Sequence, residues 1–335
     1  MPAYFRALSV VIRMFLEKRS SGKQSQITLG GRTALRVIPE DGNIRGTLLA
    51  VHGMTAKGNT DPRIHVLASA FAANGYEVIL PHYPEIQKLT IDSGCIHQME
   101  DDLLSLSRME GRGPVGVFSA SFSGSLAMVA ASGRARDAVR CMALVGPFGH
   151  VLSVVEHLFD AEDRDPYGFY VVLKNFLPGK GKRSEMLRRF FEEAALDDGL
   201  QRNPRHLPAV LADASPALRE EFYRIQNDDE YRREIKERIM HHPSVLAIAE
   251  RIDVVEHCGG IKAPITLIHG DRDNVIPPAE SRLLFDKLRN RLPCKLCITP
   301  LISHGTVQYG IDVPLRVHQV TSSIAFFLRS LDRNG

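Results

Sequence analysis

The sequence predicts an α/β fold, a mostly parallel central sheet flanked by helices with a helical segment inserted into it, and three observations carry that prediction. From Gly46 onward, apolar runs of strand length alternate with helical patterns, as in parallel strands joined by helical crossovers. The alternation stops after Gly149 and resumes near Ile261, and the stretch between is charged and helix-patterned. Over residues 115–127 an apolar strand runs into a turn of small residues and directly on into a helix.

Taken in order, the expected strands are residues 47–51, 76–80, 115–118, 139–145, 264–269 and 294–299. Their continuous apolar character suits strands buried on both faces. Helical periodicity places helices at 62–73, 96–109, 122–132, 278–291 and 314–331. Residues 26–38 read as an antiparallel edge hairpin turning near Gly30 and Gly31. Within the interrupted stretch, helical patterns cover 184–195 and 217–239. The expected organisation is a helical arm over 1–25, a first part of the core over 26–149, a helical cap over 150–260 and a second part of the core over 261–335.

With 44% hydrophobic residues in 335, the chain can bury a large core, and 24% charged residues with a net charge of +3 is ordinary for a soluble protein. No concentrated basic patch offers a phosphate backbone a place to bind, so nucleic acid is not an expected partner. The five cysteines are odd in number and scattered, which points to a reducing, cytoplasmic setting rather than a disulfide framework. Cys294 and Cys297 form a C-x-x-C, but residues three apart on a strand point to opposite faces and no second Cys or His pair lies nearby, so zinc is not expected there. No metal and no cofactor is expected for the chain.

Near the N-terminus, Phe5, Leu8, Ile12, Phe15 and Leu16 recur at helical spacing, with Arg6 and Arg13 among them. Arg13 interrupts what would be a signal-peptide core, and the run is too short and too charged to span a bilayer. Residues 1–19 therefore read as a helix packed on the domain or on a partner subunit, with a membrane-surface helix as the alternative, given Lys18, Arg19 and Lys23 after it.

The chemistry-bearing segment is Val115-Gly116-Val117-Phe118-Ser119-Ala120-Ser121-Phe122-Ser123-Gly124-Ser125-Leu126-Ala127. A nucleophile held on a sharp strand-to-helix elbow sits in a strained conformation, so the residues two before and two after it must be small. Ser119 and Ser123 meet that demand around Ser121, although either could itself be proposed as the nucleophile. Phe122 begins the helix, so its N–H has no partner within the helix and can donate to an oxyanion.

In this segment the chain resembles the α/β-hydrolase superfamily, whose elbow is usually G-x-S-x-G; here serine stands at both glycine positions. Three further segments carry the resemblance. Leu49-Ala50-Val51-His52-Gly53-Met54-Thr55 matches the oxyanion loop, which implies Met54 as the second N–H donor and a supporting role for His52. Residues 265–277, containing Asp271 and Asp273, match the acid-bearing strand end and imply Asp273 as the triad acid, with Asp271 as the competing carboxylate. Ile302-Ser303-His304-Gly305 follows the last strand and implies His304 as the base; the other histidine after Asp273, His318, falls in the expected final helix. Serine, acid and histidine occur in the order this fold uses.

The resemblance implies a serine hydrolase that cleaves a small-molecule carboxylic ester or acyl-thioester through an acyl-enzyme. Serine at 121 and the absence of tryptophan disfavour a haloalkane dehalogenase or an epoxide hydrolase. An acyltransferase, a carbon–carbon hydrolase and a cofactor-free haloperoxidase share the same triad, and a non-catalytic member binding a ligand or partner is a different class of reading. Tyr167, Phe169, Tyr170, Phe190, Phe191 and Phe222 in the interrupted stretch suit either a hydrophobic acyl or aryl pocket or the packing of helices against one another.

Overall fold

A computed structural model describes residues 1–16, 22–198, 206–303, 306–307 and 313–332. Its centre is a sheet of eight strands: β1 (Lys23–Leu29), β2 (Arg32–Ile38), β3 (Gly46–Val51), β4 (Tyr76–Pro81), β5 (Val115–Ala120), β6 (Val139–Val145), β7 (Ile265–Gly270) and β8 (Cys294–Thr299). They lie in the order β1-β2-β4-β3-β5-β6-β7-β8. The pairings from β4 through β8 are parallel, and β2 is antiparallel to both β1 and β4. Gly30 and Gly31, both at positive φ, make the two-residue hairpin turn that joins β1 to β2.

Alternation along the strands divides the core into two layers. Leu49, Val51, Ile79, Val117 and Leu144 pack on one face, whereas Leu48, Ala50, Val78, Phe118 and Ala143 pack on the other. The helix Phe122–Ser132 lies against the first face and Val313–Leu331 against the second. At Gly116 a Cβ would come 2.8 Å from both Leu331 Cδ1 and Leu48 Cδ2, so the final helix approaches the sheet closely only because that residue has no side chain. Cys294 and Cys297 do face opposite layers.

Between β6 and β7 the chain runs through a series of helices, from Val151–Asp160 and Pro166–Phe176 to Val254–His257. Glu280 of the core helix Pro278–Leu288 accepts the N–H groups of Gly149 and His150 at 2.8 Å each, and Asp253 accepts that of Val151 at 2.8 Å. The orphan donors at the start of this segment are thereby satisfied by carboxylates, as the dipole of a helix N-terminus favours. The pattern over 217–239, continuous in sequence, is two helices, Pro216–Asn227 and Asp229–Met240. Asp228 breaks it by accepting the Tyr231 N–H, an N-cap bond that competes with helix continuation.

Phe169, Phe190, Phe191 and Phe222 are at most 2% exposed. Phe191 and Phe222 pack with ring centroids 5.0 Å apart, and Phe190 meets Phe222 edge-on at 5.9 Å. These rings hold the inserted helices to one another, which corrects the pocket-lining alternative for all four.

The helix Ala3–Phe15 packs on the final helix and on Pro62–Ala72, but through a different face from the one its largest apolar residues suggest. Ala7, Val10 and Val11 are buried there, while Phe5, Ile12 and Leu16 are exposed. Tyr4, Met14 and Phe15, half-buried, pack against the same core. Arg6, 6% exposed, pairs with Asp332 and donates to the Tyr76 hydroxyl at 3.1 Å. Among the described residues, no helix is long and apolar enough to cross a membrane.

Candidate active site

Ser121 stands between the end of β5 and the helix Phe122–Ser132 with φ 58° and ψ −141°. Leu89 is the only other non-glycine residue at positive φ among those described. Such a conformation costs on the order of 1–3 kcal/mol and persists only where its surroundings enforce it. The Ser121 N–H donates to Val145 O at 2.7 Å, and Gly124 N donates to Ser121 O at 2.8 Å, which pins both sides of the turn. The three serines of the segment are not equivalent. Ser119 and Ser123 are fully buried, with Ser119 Oγ 3.4 Å from Val51 O, whereas Ser121 is half-buried and carries the elbow.

The loop after β3 lies against this elbow, since a Cβ on Gly53 would sit 3.7 Å from Ala120 O. His52 is 2% exposed, and burial pushes its imidazole below the ordinary histidine value, so the ring is neutral near pH 7. Its Nδ1 lies 2.9 Å from Gly53 O, which assigns the proton to Nδ1 because a carbonyl can only accept. On the other side of Met54, the Tyr167 hydroxyl donates to Met54 O at 2.6 Å. The two peptide planes that meet at Met54 are thus each held by a ring, one from the buried His52 and one from the half-buried Tyr167. The N–H groups of Met54 and Phe122 find no hydrogen-bond acceptor among the described residues.

Asp273 follows β7 and is 7% exposed. Its Oδ1 accepts the N–H groups of Val275 and Ile276, both at 3.0 Å, and its Oδ2 lies 3.5 Å from His269 Nε2. His269 is fully buried, with Nε2 donating to Ile276 O at 2.8 Å and Nδ1 2.7 Å from Ser281 Oγ. The inserted segment grips the same loop: Asn274 Nδ2 donates to Asp163 O at 2.9 Å and Asp165 N to Asn274 O at 3.2 Å. Asp271 is exposed, and its N–H is bonded to Thr299 O at 3.1 Å.

One strand end links serine and carboxylate. Val145, the last residue of β6, accepts the Ser121 N–H, and a Cβ on the next residue, Gly146, would lie 3.4 Å from Asp273 Oδ2. Gly146 is at φ 61°, where glycine carries no steric penalty. His304 lies outside the described residues. On either side of it, Ile302–Ser303 and Thr306–Val307 pair antiparallel shortly after β8. His318 is in the final helix, its Nδ1 2.6 Å from the Tyr4 hydroxyl.

The arrangement supplies the hydroxyl of a strained, half-buried serine, two N–H groups on segments that abut, and a carboxylate with one oxygen held by backbone donors. The sequence marks Tyr167 only as one of the aromatic residues of the interrupted stretch, not as a partner of Met54, and marks no role for His269. Asp165-Pro166 ahead of Tyr167 marks the start of a helix, but nothing local to the chain announces a bond between residues 167 and 54.

No family model matches the sequence, and no curated protein is detectably similar to it. Solved structures are. A puromycin-hydrolyzing peptidase of Mycobacterium tuberculosis superposes with a TM-score of 0.55 at 13% identity, over 92% of this chain and 39% of that one. The acylaminoacyl peptidase of Pyrococcus horikoshii gives 0.52 at 13%, over 96% and 44%. Dipeptidyl peptidase 4 of Porphyromonas gingivalis gives 0.51 at 11%, over 92% and 36%. The chain spans less than half the length of each, and at these identities the likeness establishes the fold.

Proposed function

On the α/β-hydrolase fold that the chain adopts, we propose that it is a serine hydrolase cleaving carboxylic esters or thioesters through an acyl-enzyme. The observation that carries this reading is the left-handed Ser121 at the junction of β5 and its helix. A non-catalytic turn gains nothing from such strain, whereas an elbow uses it to aim the hydroxyl outward.

In this mechanism Ser121 Oγ attacks the acyl carbonyl while His304 takes its proton, because a serine hydroxyl is a poor nucleophile at neutral pH. Asp273, its Oδ1 occupied by Val275 and Ile276, orients the imidazole and stabilises the imidazolium. The negative charge that develops on the carbonyl oxygen is met by the Met54 and Phe122 N–H groups, which owe little reorganisation because their loops are already fixed. Collapse of the tetrahedral intermediate expels the alcohol or thiol, which leaves with the proton from His304. Water then repeats the sequence on the acyl-enzyme and releases the acid.

The test is a chain-length panel of p-nitrophenyl esters run beside acyl-thioesters and a peptide anilide, with Ser121→Ala as the blank. Turnover of an ester or thioester that vanishes in Ser121→Ala supports the reading. Turnover of the anilide alone replaces the ester with an amide, and identical rates in wild type and Ser121→Ala remove the serine from the chemistry.

A further inference from the structure

The helix Pro166–Phe176 of the insertion is fastened to the segments that follow β3, β4 and β7, all at the carboxyl edge of the sheet. At its start, the Tyr167 hydroxyl holds Met54 O, and the backbone of Asp163 and Asp165 is bonded to Asn274, the residue after Asp273. A Cβ on Gly168 would lie 3.0 Å from Val275 Cγ1, so the helix sits directly on the loop whose N–H groups hold Asp273. At its end, Asn175 Nδ2 donates to Leu89 O at 2.9 Å, Asn175 Oδ1 accepts the Ile91 N–H at 3.0 Å, and Lys174 donates to Lys88 O.

The contact at Leu89 is made under strain. Leu89 is 1% exposed with φ 58°, a left-handed conformation that a bulky residue keeps only where its surroundings enforce it. The two bonds to Asn175 are part of that enforcement. Just before it, Gln87 Nε2 donates to Ala56 O at 3.0 Å, which ties the same segment back to the loop of Met54. Other helices of the insertion are stacked on this one: Phe169 packs on Phe159 with ring centroids 5.0 Å apart, Tyr170 on Phe191 at 5.9 Å, and Lys174 pairs with Glu192 at 3.0 Å.

Lifting this helix as a lid would break all of these bonds together, which disfavours an open form by about a thousandfold or more. It would also release Met54 O and Asn274, so the opened form would lose the loop geometry that the proposed chemistry uses. In a lidded enzyme the closed form blocks the site and the open form works; here the closed form is the organised one. We infer that Pro166–Phe176 is a fixed wall of the site, and that the enzyme acts on esters or thioesters dissolved as single molecules rather than on acyl chains embedded in a lipid aggregate. A single molecule can diffuse to the half-buried Ser121, whereas an embedded chain needs the protein to open over it. The substrate class rests on the serine-hydrolase reading; the fixed helix does not.

Two measurements test this. With the longest p-nitrophenyl ester that the enzyme turns over, raised through its solubility limit, the rate should saturate and change by less than about twofold as the emulsion forms. A larger rise at that limit overturns the inference. Hydrogen exchange at the Ile91 and Asp165 amides, which bond across the contact, should be slowed about a thousandfold or more, with the emulsion making no difference. Weaker protection, or protection lost when the emulsion is added, means that the helix lifts and overturns the inference. If no ester or thioester is turned over at all, the serine-hydrolase reading falls, and exchange at these two amides still decides whether the helix is fixed.

Discussion

The hydroxyl of Tyr167 donates to the carbonyl oxygen of Met54 at 2.6 Å, joining the inserted helices to the loop that follows β3. Burial pushes the Tyr167 phenol well above the ordinary tyrosine value, so it remains a neutral donor at any working pH. His52 holds the preceding peptide through Gly53 O at 2.9 Å. The Met54 N–H is therefore aimed by one bond from the core and one from the insertion, and the insertion's position is coupled to the proposed oxyanion hole.

Tyr167→Phe removes that bond and little else. On the best ester of the panel, kcat should fall about tenfold with KM nearly unchanged, because an interaction felt mainly in the transition state is loosened. An unaltered kcat would separate Tyr167 from the chemistry.

Asp273→Asn keeps an oxygen for the Val275 and Ile276 N–H groups but removes the charge proposed to orient the base. The expected loss in kcat is about ten-thousandfold, by analogy with triad acids in general. Asp271→Asn, at an exposed position two residues away, should change kcat by less than about twofold, within the range of surface substitutions. If Asp271→Asn proved the damaging change, the acid would be misassigned.

Gly260→Ala probes the support of the helix that begins at the elbow. An added Cβ would lie 2.2 Å from the backbone oxygen of Ser132, at that helix's last residue, and a backbone atom cannot swing aside. A loss of about 1–3 kcal/mol in unfolding free energy should appear in urea titration. A wild-type midpoint would mean the two segments can separate freely.

Glu77 supplies a pH test of stability. Burial pushes its carboxyl up, but the hydrogen bonds from Arg112, Thr47 and Arg36 outweigh burial and hold it below the ordinary value of 4.5. A depressed folded value means the contribution is complete above that ordinary value and is lost as pH falls through the folded one. Glu77→Gln, which leaves Arg36 and Arg112 facing a neutral amide, should cost about 3–5 kcal/mol at pH 7. That difference should shrink steadily in titrations carried out at lower pH; a constant difference would exclude a charge-based role.

Most of the sheet was legible because its strands are apolar on both faces and bounded by helices, so length and β-branching alone mark them. The edge hairpin was legible from Gly30-Gly31. The face used by the N-terminal helix was not, since Ala7, Val10 and Val11 on one side and Phe5, Ile12 and Leu16 on the other are both apolar, and periodicity cannot choose between two hydrophobic stripes. Nor was the break at Asp228, where a capping aspartate looks like any other charge in a charged helix. At the candidate site, the small residues around Ser121 betray the elbow because its geometry is local. The Tyr167 bond and the grip of Asn274 on Asp163 join residues more than a hundred positions apart, and only the folded chain brings them together.

The most direct measurement of the central claim is covalent labelling with a fluorophosphonate, followed by peptide mapping of the adduct. A single modified residue, Ser121, is expected at neutral pH, with no labelling of Ser121→Ala. Wild-type protein that stays unlabelled, or an adduct at Ser119, Ser123 or elsewhere, would contradict it.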